Sequence, residues 1–299
     1  LFTATYDPFK LHVWVHSQPL ELPRDDSRVA ATIASGVCSS RGGNCSDKEL
    51  LTSVRVPGLY SLTIDDISTT LIDNARYEPE QVLLVNVSGS VRDSDLAGLI
   101  HAWVLPALGP NQKALGAASE PPAPYDWSES EISEALLRRS QVLKLETVST
   151  EEDFQALQSF KFHADPGQRI YVRIDGGLKS FGGYLLGKPR TELLTVPDYP
   201  KLLRFVADGS LLSLGGSKRI SVVSRNMPGM RMDIGRVLPD QLQHLVSLNQ
   251  GNYSHPQLPY DFSEDHIVER LELKRGFPKD DPAHAHYEGV DLGQYLQDG

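Results

Sequence analysis

Basic charge is the first thing this sequence lacks. Lys and Arg number 29 against 39 Asp and Glu, a formal net charge of −10. A phosphate-binding surface wants the opposite sign, so nucleic acid is excluded as an expected partner. Long apolar runs are missing too: none approaches the roughly 20 residues that a membrane-spanning helix needs. Cysteine is scarce, with two residues in all, Cys38 and Cys45. A structural zinc wants four N or S ligands, and no His lies near either Cys in sequence, so no metal is expected there. The strong catalytic signatures are absent as well. There is no G-x-S-x-G elbow and no H-E-x-x-H pair, and the chain reads as a non-enzyme without a cofactor. An initiating Met and a signal peptide are also lacking. The sequence opens on Leu1 and reads as a mature or excised segment.

What is present favours β-structure. The 299 residues are 40% hydrophobic, enough for two or three ordinary domains, and 24 Gly with 20 Pro are spread along the whole length. Many short elements separated by turns fit that composition better than a helical bundle does. The two cysteines bracket "CSSRGGNC", where Gly42 and Gly43 can fold the chain back on itself. A disulfide closing a small surface loop is the expected state, with two free thiols as the alternative. The bridge would place the chain in an oxidising compartment.

Hydrophobic alternation marks the strands. "FKLHVWVHSQPLEL" sets Leu11, Val13 and Val15 on one side and His12, Trp14 and His16 on the other, as a half-buried strand does. "SRVAATIASGV" and "LLTSVRV" follow it, and then "LYSLTID", "QVLLVNVSG" and "IHAWVLP" after the break at Pro57-Gly58. "VRDSDLAGLI" fits one helical turn. Ala107 to Asp126, rich in Ala, Gly and Pro, reads as a surface loop. Ser128 with Glu131 makes a capping-box pattern ahead of Ile132, Leu136 and Leu137. Thr150 opens an acidic stretch, "TEEDFQALQSF", that reads as a second helix. "QVLKLETVS" between the two reads as a strand, and "KFHADPGQRIYVRIDGG" and "GYLLGKPRTELLTVP" after them read as two strands around a glycine-rich connection. In the last third "LLRFVAD", "SLLSLGG", "KRISVVSRN", "RMDIGRV" and "HIVERLELKRGF" read as strands. Pro239 to Gln250 reads as a helix with Leu242, Leu245, Val246 and Leu248 on its apolar side. The final "YEGVDLGQYLQDG" shows no clear closing strand.

Candidate sites weigh lightly against plain structural roles. "GGLKSFGG", Gly176 to Gly183, lacks the Gly-Lys-Ser/Thr of a phosphate loop and leads into β-like sequence, so a turn or bulge is favoured. His284 and His286 stand two apart and could chelate a metal weakly with Asp280 or Asp281. An exposed polar loop is the preferred reading. His163 with Asp165, and Asp65 with Asp66, are ordinary turn and strand-end residues. Asn86-Val87-Ser88 and Asn252-Tyr253-Ser254 match the N-glycosylation pattern, which matters only in a eukaryotic secretory protein.

From Val196 to Tyr253 the chain resembles the junction between two macroglobulin-type domains of bacterial α2-macroglobulin-like proteins. The residues that carry the likeness are Tyr199-Pro200, the turn from Asp208 to Gly216, "SRN" at Ser224 to Asn226, and the helix start near Pro239. "PGLYSLTIDDISTTLIDNARYEPEQVLLVNVSGSV" is similar to the opening of the preceding domain. The likeness spans Pro57 to Phe262, and the first 56 residues match weakly. It implies a mostly β chain of tandem macroglobulin-type, immunoglobulin-like β-sandwich domains with a few short helices. The division it suggests is an N-terminal β segment over 1–57, a sandwich with helical insertions over 58–198, and a sandwich over 199–299 that is incomplete at its C-terminal end.

The likeness also implies a secreted or periplasmic trap for proteases. A protease cuts an exposed bait segment, the domains rearrange, and the protease is enclosed. Some members add a thioester built from Cys-x-Glu-Gln. Here Cys38 precedes Ser-Ser-Arg and Cys45 precedes Ser-Asp-Lys, so no functional residue carries over. The implied partners are proteases met by the full-length protein, other domains of the same chain, and periplasmic or membrane-associated proteins. A cell-surface adhesion or carbohydrate-binding protein is the second reading. It would want a row of exposed aromatics, whereas Trp14, Trp103 and Trp127 are scattered.

Overall fold

The structure, a computed structural model, describes residues 2–9, 12–38, 42–110, 124–148, 151–207, 217–237, 267–279 and 281–295. In chain order the strands begin with β1 (Phe2–Tyr6), β2 (Val13–Ser17), β3 (Ser27–Ile33) and β4 (Leu50–Val56). Next come β5 (Ile64–Asp73), β6 (Pro79–Val91), helix α1 (Asp93–Ala97) and β7 (Ile100–Val104). Helix α2 (Glu134–Leu137), β8 (Gln141–Val142), β9 (Glu146–Thr147), β10 (Gln155–Phe162), β11 (Arg169–Ile174) and β12 (Arg190–Thr195) follow. The chain continues through β13 (Leu202–Phe205), β14 (Arg219–Arg225), β15 (Gly229–Val237), β16 (Ile267–Gly276) and β17 (His286–Asp291). The expected turn at Asp208 to Gly216, the expected helix Pro239 to Gln250, and most of the Ala107 to Asp126 loop lie outside the described residues.

The chain forms two compact units. Unit 1 holds Leu1–Thr70 and Val82–Val196; unit 2 holds Leu71–Gln81 and Pro197–Gly299. Unit 1 is built on two four-stranded sheets, ordered β5-β6-β10-β9 and β12-β11-β7-β8. Their facing sides share one core. Alternation dictates which residues enter it, because successive side chains of a strand point to opposite faces. On β11, Ile170, Val172 and Ile174 are fully buried while the residues between them are half exposed. On β10, Phe160 and Phe162 face inward, and on β7, Ile100, Ala102 and Val104 do so. A two-layer β-sandwich results. The fold is therefore mostly β with short helices, as expected.

A smaller cluster covers part of unit 1. Leu105, Trp127 and Leu137 are buried together, with Trp103, Tyr171 and Leu193 packed against them. The capping box at Ser128 is formed: Glu131 accepts from the Ser128 backbone N–H at 2.9 Å and from its hydroxyl at 2.8 Å. Tyr125 also donates to Glu131, at 2.8 Å. The Ser128 backbone bond, then the Tyr125 and Ser128 hydroxyls, hold the Glu131 carboxyl below the usual range. The box opens a single 3-10 turn over Glu129–Glu131, and a separate cap at Ser133 then starts α2.

Several elements depart from the sequence reading. The stretch after Thr150 is not a helix. It is β10, whose buried Gln158, Phe160 and Phe162 recur every second residue. "QVLKLETVS" is not one strand but two short edges in different sheets, β8 and β9, with Leu143 to Leu145 crossing between them. The C-terminal "HYEGVD" is a closing strand after all: β17 pairs with β14 from Arg219↔Asp291 to Ser224↔His286. β2 alternates as expected but is not half buried. Among the described residues it pairs only with β1, from Phe2↔Ser17 to Tyr6↔Val13, and all five of its residues are exposed. The β3–β4 hairpin, paired from Ser27↔Val56 to Ile33↔Leu50, is similarly exposed, Val29, Ile33, Leu50 and Val54 included.

Unit 2 contains a three-stranded sheet, β13-β14-β17, and the hairpin pair β15-β16. Its core is Val222, Met230, Leu273 and Val290. The central strand β14 ends in four consecutive buried residues, Val222 to Arg225, so it is covered on both faces at that end.

Candidate functional site

The two cysteines lie in the loop between β3 and β4, and their sulfurs are bonded. Backbone bonds already bring the loop ends together: Gly36 N–H donates to Ser46 O at 2.7 Å and Ser46 N–H to Val37 O at 2.9 Å. Gly42 and Gly43 both sit at positive φ, +88° and +117°, where a side chain would be strained. At the far end of the hairpin Asp26 pairs with Arg55 and accepts the Gly58 N–H at 2.9 Å. The Arg55 hydrogen bond, then that of Gly58, lowers the Asp26 carboxyl from its ordinary value. Intact-mass measurement after alkylation, with and without reductant, is expected to find no alkylatable thiol until reduction. Opening so short a loop should cost ~2–3 kcal/mol at most.

Unit 2 holds a buried arginine with several anchors. Arg225, at the end of β14, has a side chain only 2% exposed. Its guanidinium is anchored by atoms distant in sequence. Nη1 donates to Asp73 Oδ1 at 2.7 Å and to the Tyr77 carbonyl, and Nε donates to the Pro200 carbonyl at 3.3 Å. Tyr77 is one of two non-glycine residues at positive φ among those described; the other is Asn226, whose amide donates to Tyr199 O at 3.0 Å. Two further contacts hold the same stretch: Arg204 stacks over the Tyr77 ring at 5.1 Å, and Tyr287 Oη donates to Arg76 O at 2.8 Å. A buried guanidinium needs partners for its donors, and here two carbonyls and a carboxylate meet those of Nε and Nη1.

Arg225 also lines a cleft of about 420 Å³ that lies wholly within unit 2. Lys201 and Lys279 line it, as do His284, His286 and Asp281. His284 Nδ1 lies 3.5 Å from Asp281 Oδ2, whereas His286 Nε2 lies 3.9 Å from Glu288 Oε2. The imidazoles thus address different carboxylates. Among the described residues no three His, Cys, Asp or Glu side chains gather as a metal site. His284 lies in a turn and His286 opens β17, consistent with a polar loop running into a strand. The "GGLKSFGG" segment is a turn joined by the Lys179↔Leu185 bridge, with Gly177 and Gly183 at positive φ.

The likeness at "SRN" gives no sign that its Arg is the buried anchor of unit 2. The one local signal was an Arg ending an apolar strand, "ISVVSR". Its main partner, Asp73, is 152 residues away.

Comparison with known proteins places these features. No family model matches the chain. It is 36% identical over 296 residues to an alpha-2-macroglobulin homolog of Yersinia pestis, across 99% of this chain and 15% of that protein. An alpha-2-macroglobulin of Pasteurella multocida is 30% identical over 302 residues, again 99% of this chain and 15% of the relative. The chain therefore spans about 15% of the length of these curated relatives. Among solved structures, native alpha-2-macroglobulin of Escherichia coli spanning domains MG0-NIE-MG1 aligns over 78% of this chain and 61% of its own. Its TM-score is 0.34 and its identity 16%. Salmonella alpha-2-macroglobulin reacted with methylamine aligns over 79% of this chain and 12% of its own, with a TM-score of 0.41 and 16% identity.

Proposed function

Because this chain belongs to the bacterial alpha-2-macroglobulin family, we propose that it is a scaffold portion of a protease-trapping inhibitor. The observation that carries the reading is the 36% identity that runs through 99% of the chain. In this reading the segment supplies shape and partner surface, and the bait that a protease cuts belongs to other parts of the full-length protein. Separate β-units that move as rigid bodies suit such a role, since enclosure of a protease needs domains that rearrange without unfolding. The division we favour remains an N-terminal β segment over 1–57 with macroglobulin-type sandwiches over 58–198 and 199–299. A periplasmic or membrane-associated setting, and a part in bacterial defence, go with it. The Cys38–Cys45 bridge supports an oxidising compartment. The adhesion reading gains no observation: Trp127 is buried as part of the small cluster of unit 1.

Protease assays test the proposal. Full-length protein mixed with a trypsin-like or elastase-like protease should abolish digestion of a large protein substrate while sparing a small chromogenic peptide. The 299-residue chain alone should leave both activities intact. Stoichiometric inhibition by the segment, or loss of both activities with the full-length protein, would show that the scaffold reading is wrong.

A further inference from the structure

We propose that the cleft of unit 2 is a binding site for a carboxylate borne by a polypeptide beside an apolar side chain. This goes beyond protease trapping and does not depend on it. The cleft's volume of about 420 Å³ lies within the range of ligand sites. Arg225 lines it while nearly fully buried. Its Nε and Nη1 are taken by Pro200, Asp73 and Tyr77, and its Nη2 joins no hydrogen bond among the described residues. A guanidinium held rigidly by three partners, with one nitrogen left over, is a preorganised donor for an oxyanion. Lys201 and Lys279 stand on the same cleft without an ion pair among the described residues. This concentrates cationic groups in a chain whose net charge is −10.

The sign and size of the ligand follow from the carboxylates present. Asp73 offsets Arg225 from behind, and Asp281 lies on the lining beside His284. One unit of negative charge balances what remains; a doubly charged phosphate would meet those two carboxylates as well. Lys279 and Lys201 act in water, where a charge contact is worth little alone. Affinity must therefore come also from the apolar wall that Met227, Pro228 and Phe277 contribute. A carboxylate next to an apolar residue satisfies both. It can be a Glu or Asp side chain within a segment, or the carboxylate at a chain end.

NMR titration of the 15N-labelled 299-residue chain distinguishes these sources. The probes are acetyl-Leu-Glu-Leu-amide, acetyl-Leu-Gln-Leu-amide, acetyl-Leu-Gln-Leu with a free C-terminal carboxylate, sodium acetate and inorganic phosphate. At least one acidic peptide should saturate at about 1 mM or below and shift the amides of Lys201, Phe277 and Lys279. The neutral peptide should bind about tenfold more weakly. Lys201→Ala and Lys279→Ala should each weaken binding about two- to fivefold without disturbing the rest of the spectrum. Preference for the Glu peptide assigns internal acidic segments, and preference for the free terminus assigns chain ends. Equal binding of the neutral peptide overturns the proposal. So does tighter binding of acetate or phosphate, unchanged affinity in both lysine variants, or no shift with either acidic peptide.

Discussion

Arg225→Met is expected to destabilise unit 2 by about 3–5 kcal/mol, far more than a surface arginine would. Met keeps most of the buried stem but removes every donor. The carbonyls of Tyr77 and Pro200 and the carboxylate of Asp73 then lose their partner. The consequences differ between the two members of the ion pair. Asp73 is 43% exposed, so its carboxylate can hydrate when Arg225 is gone, and its removal opens that side of Arg225 to water. Asp73→Ala should cost about 1–3 kcal/mol, because water reaches part of the vacated site. The double variant should cost less than the two singles together, by about 0.5–3 kcal/mol. Hydrogen exchange at the β14 amides during urea titration reads unit 2 by itself. A loss below about 1 kcal/mol for Arg225→Met would mean that the guanidinium is a passenger in its site.

Phe160→Ala should cost unit 1 about 3–5 kcal/mol. The ring is 1% exposed and fills the space between the two four-stranded sheets with Ile170, Val172 and Leu83. Close-packed sheets relax only partly around a lost ring, so a cavity penalty adds to the transfer term. Val142→Ala, on the short edge strand β8 and 72% exposed, is the matched control and should stay within about 0.5 kcal/mol. Chemical denaturation of both variants decides. Similar small losses would place the core elsewhere than between the two sheets.

Where the sequence could be read, a short-range pattern coincided with the final environment. β11 is the clearest case: "RIYVRI" alternates, and Ile170, Val172 and Ile174 are buried as that alternation requires. The Ser128–Glu131 capping box is equally local and equally legible. The failures came where a local signal competed with a longer one. The acidic run after Thr150 imitates a helix start, yet the aromatic pair Phe160 and Phe162 belongs to a strand inserted between β6 and β9. The alternation of β2 was real but could not tell whether another layer covers it. β17 was missed because "HYEGVD" is weak by itself and gains its place through six pairings with β14. Arg225 is the extreme example. No window around it contains Asp73, Tyr77 or Pro200, so its burial could not be foreseen from its neighbours. Of the candidate site, the cysteine pair was legible because its residues are close in sequence. The unit 2 cleft, assembled from distant loops, was not.

The make-up of unit 2 from two separate stretches of chain bears on biosynthesis. Asp73 leaves the ribosome long before Arg225, which follows 152 residues later. At 5–20 residues per second that is a wait of about 8–30 s. During this interval Leu71–Gln81 has no finished unit to join. Unit 2 therefore closes only after Arg225 has emerged, on a stretch of chain made well before the rest of it. A recombinant piece starting at Pro197 would likewise carry Arg225 without Asp73 or Tyr77. Supplying residues 71–81 as a separate peptide should restore its fold, much as a missing strand can be returned in trans.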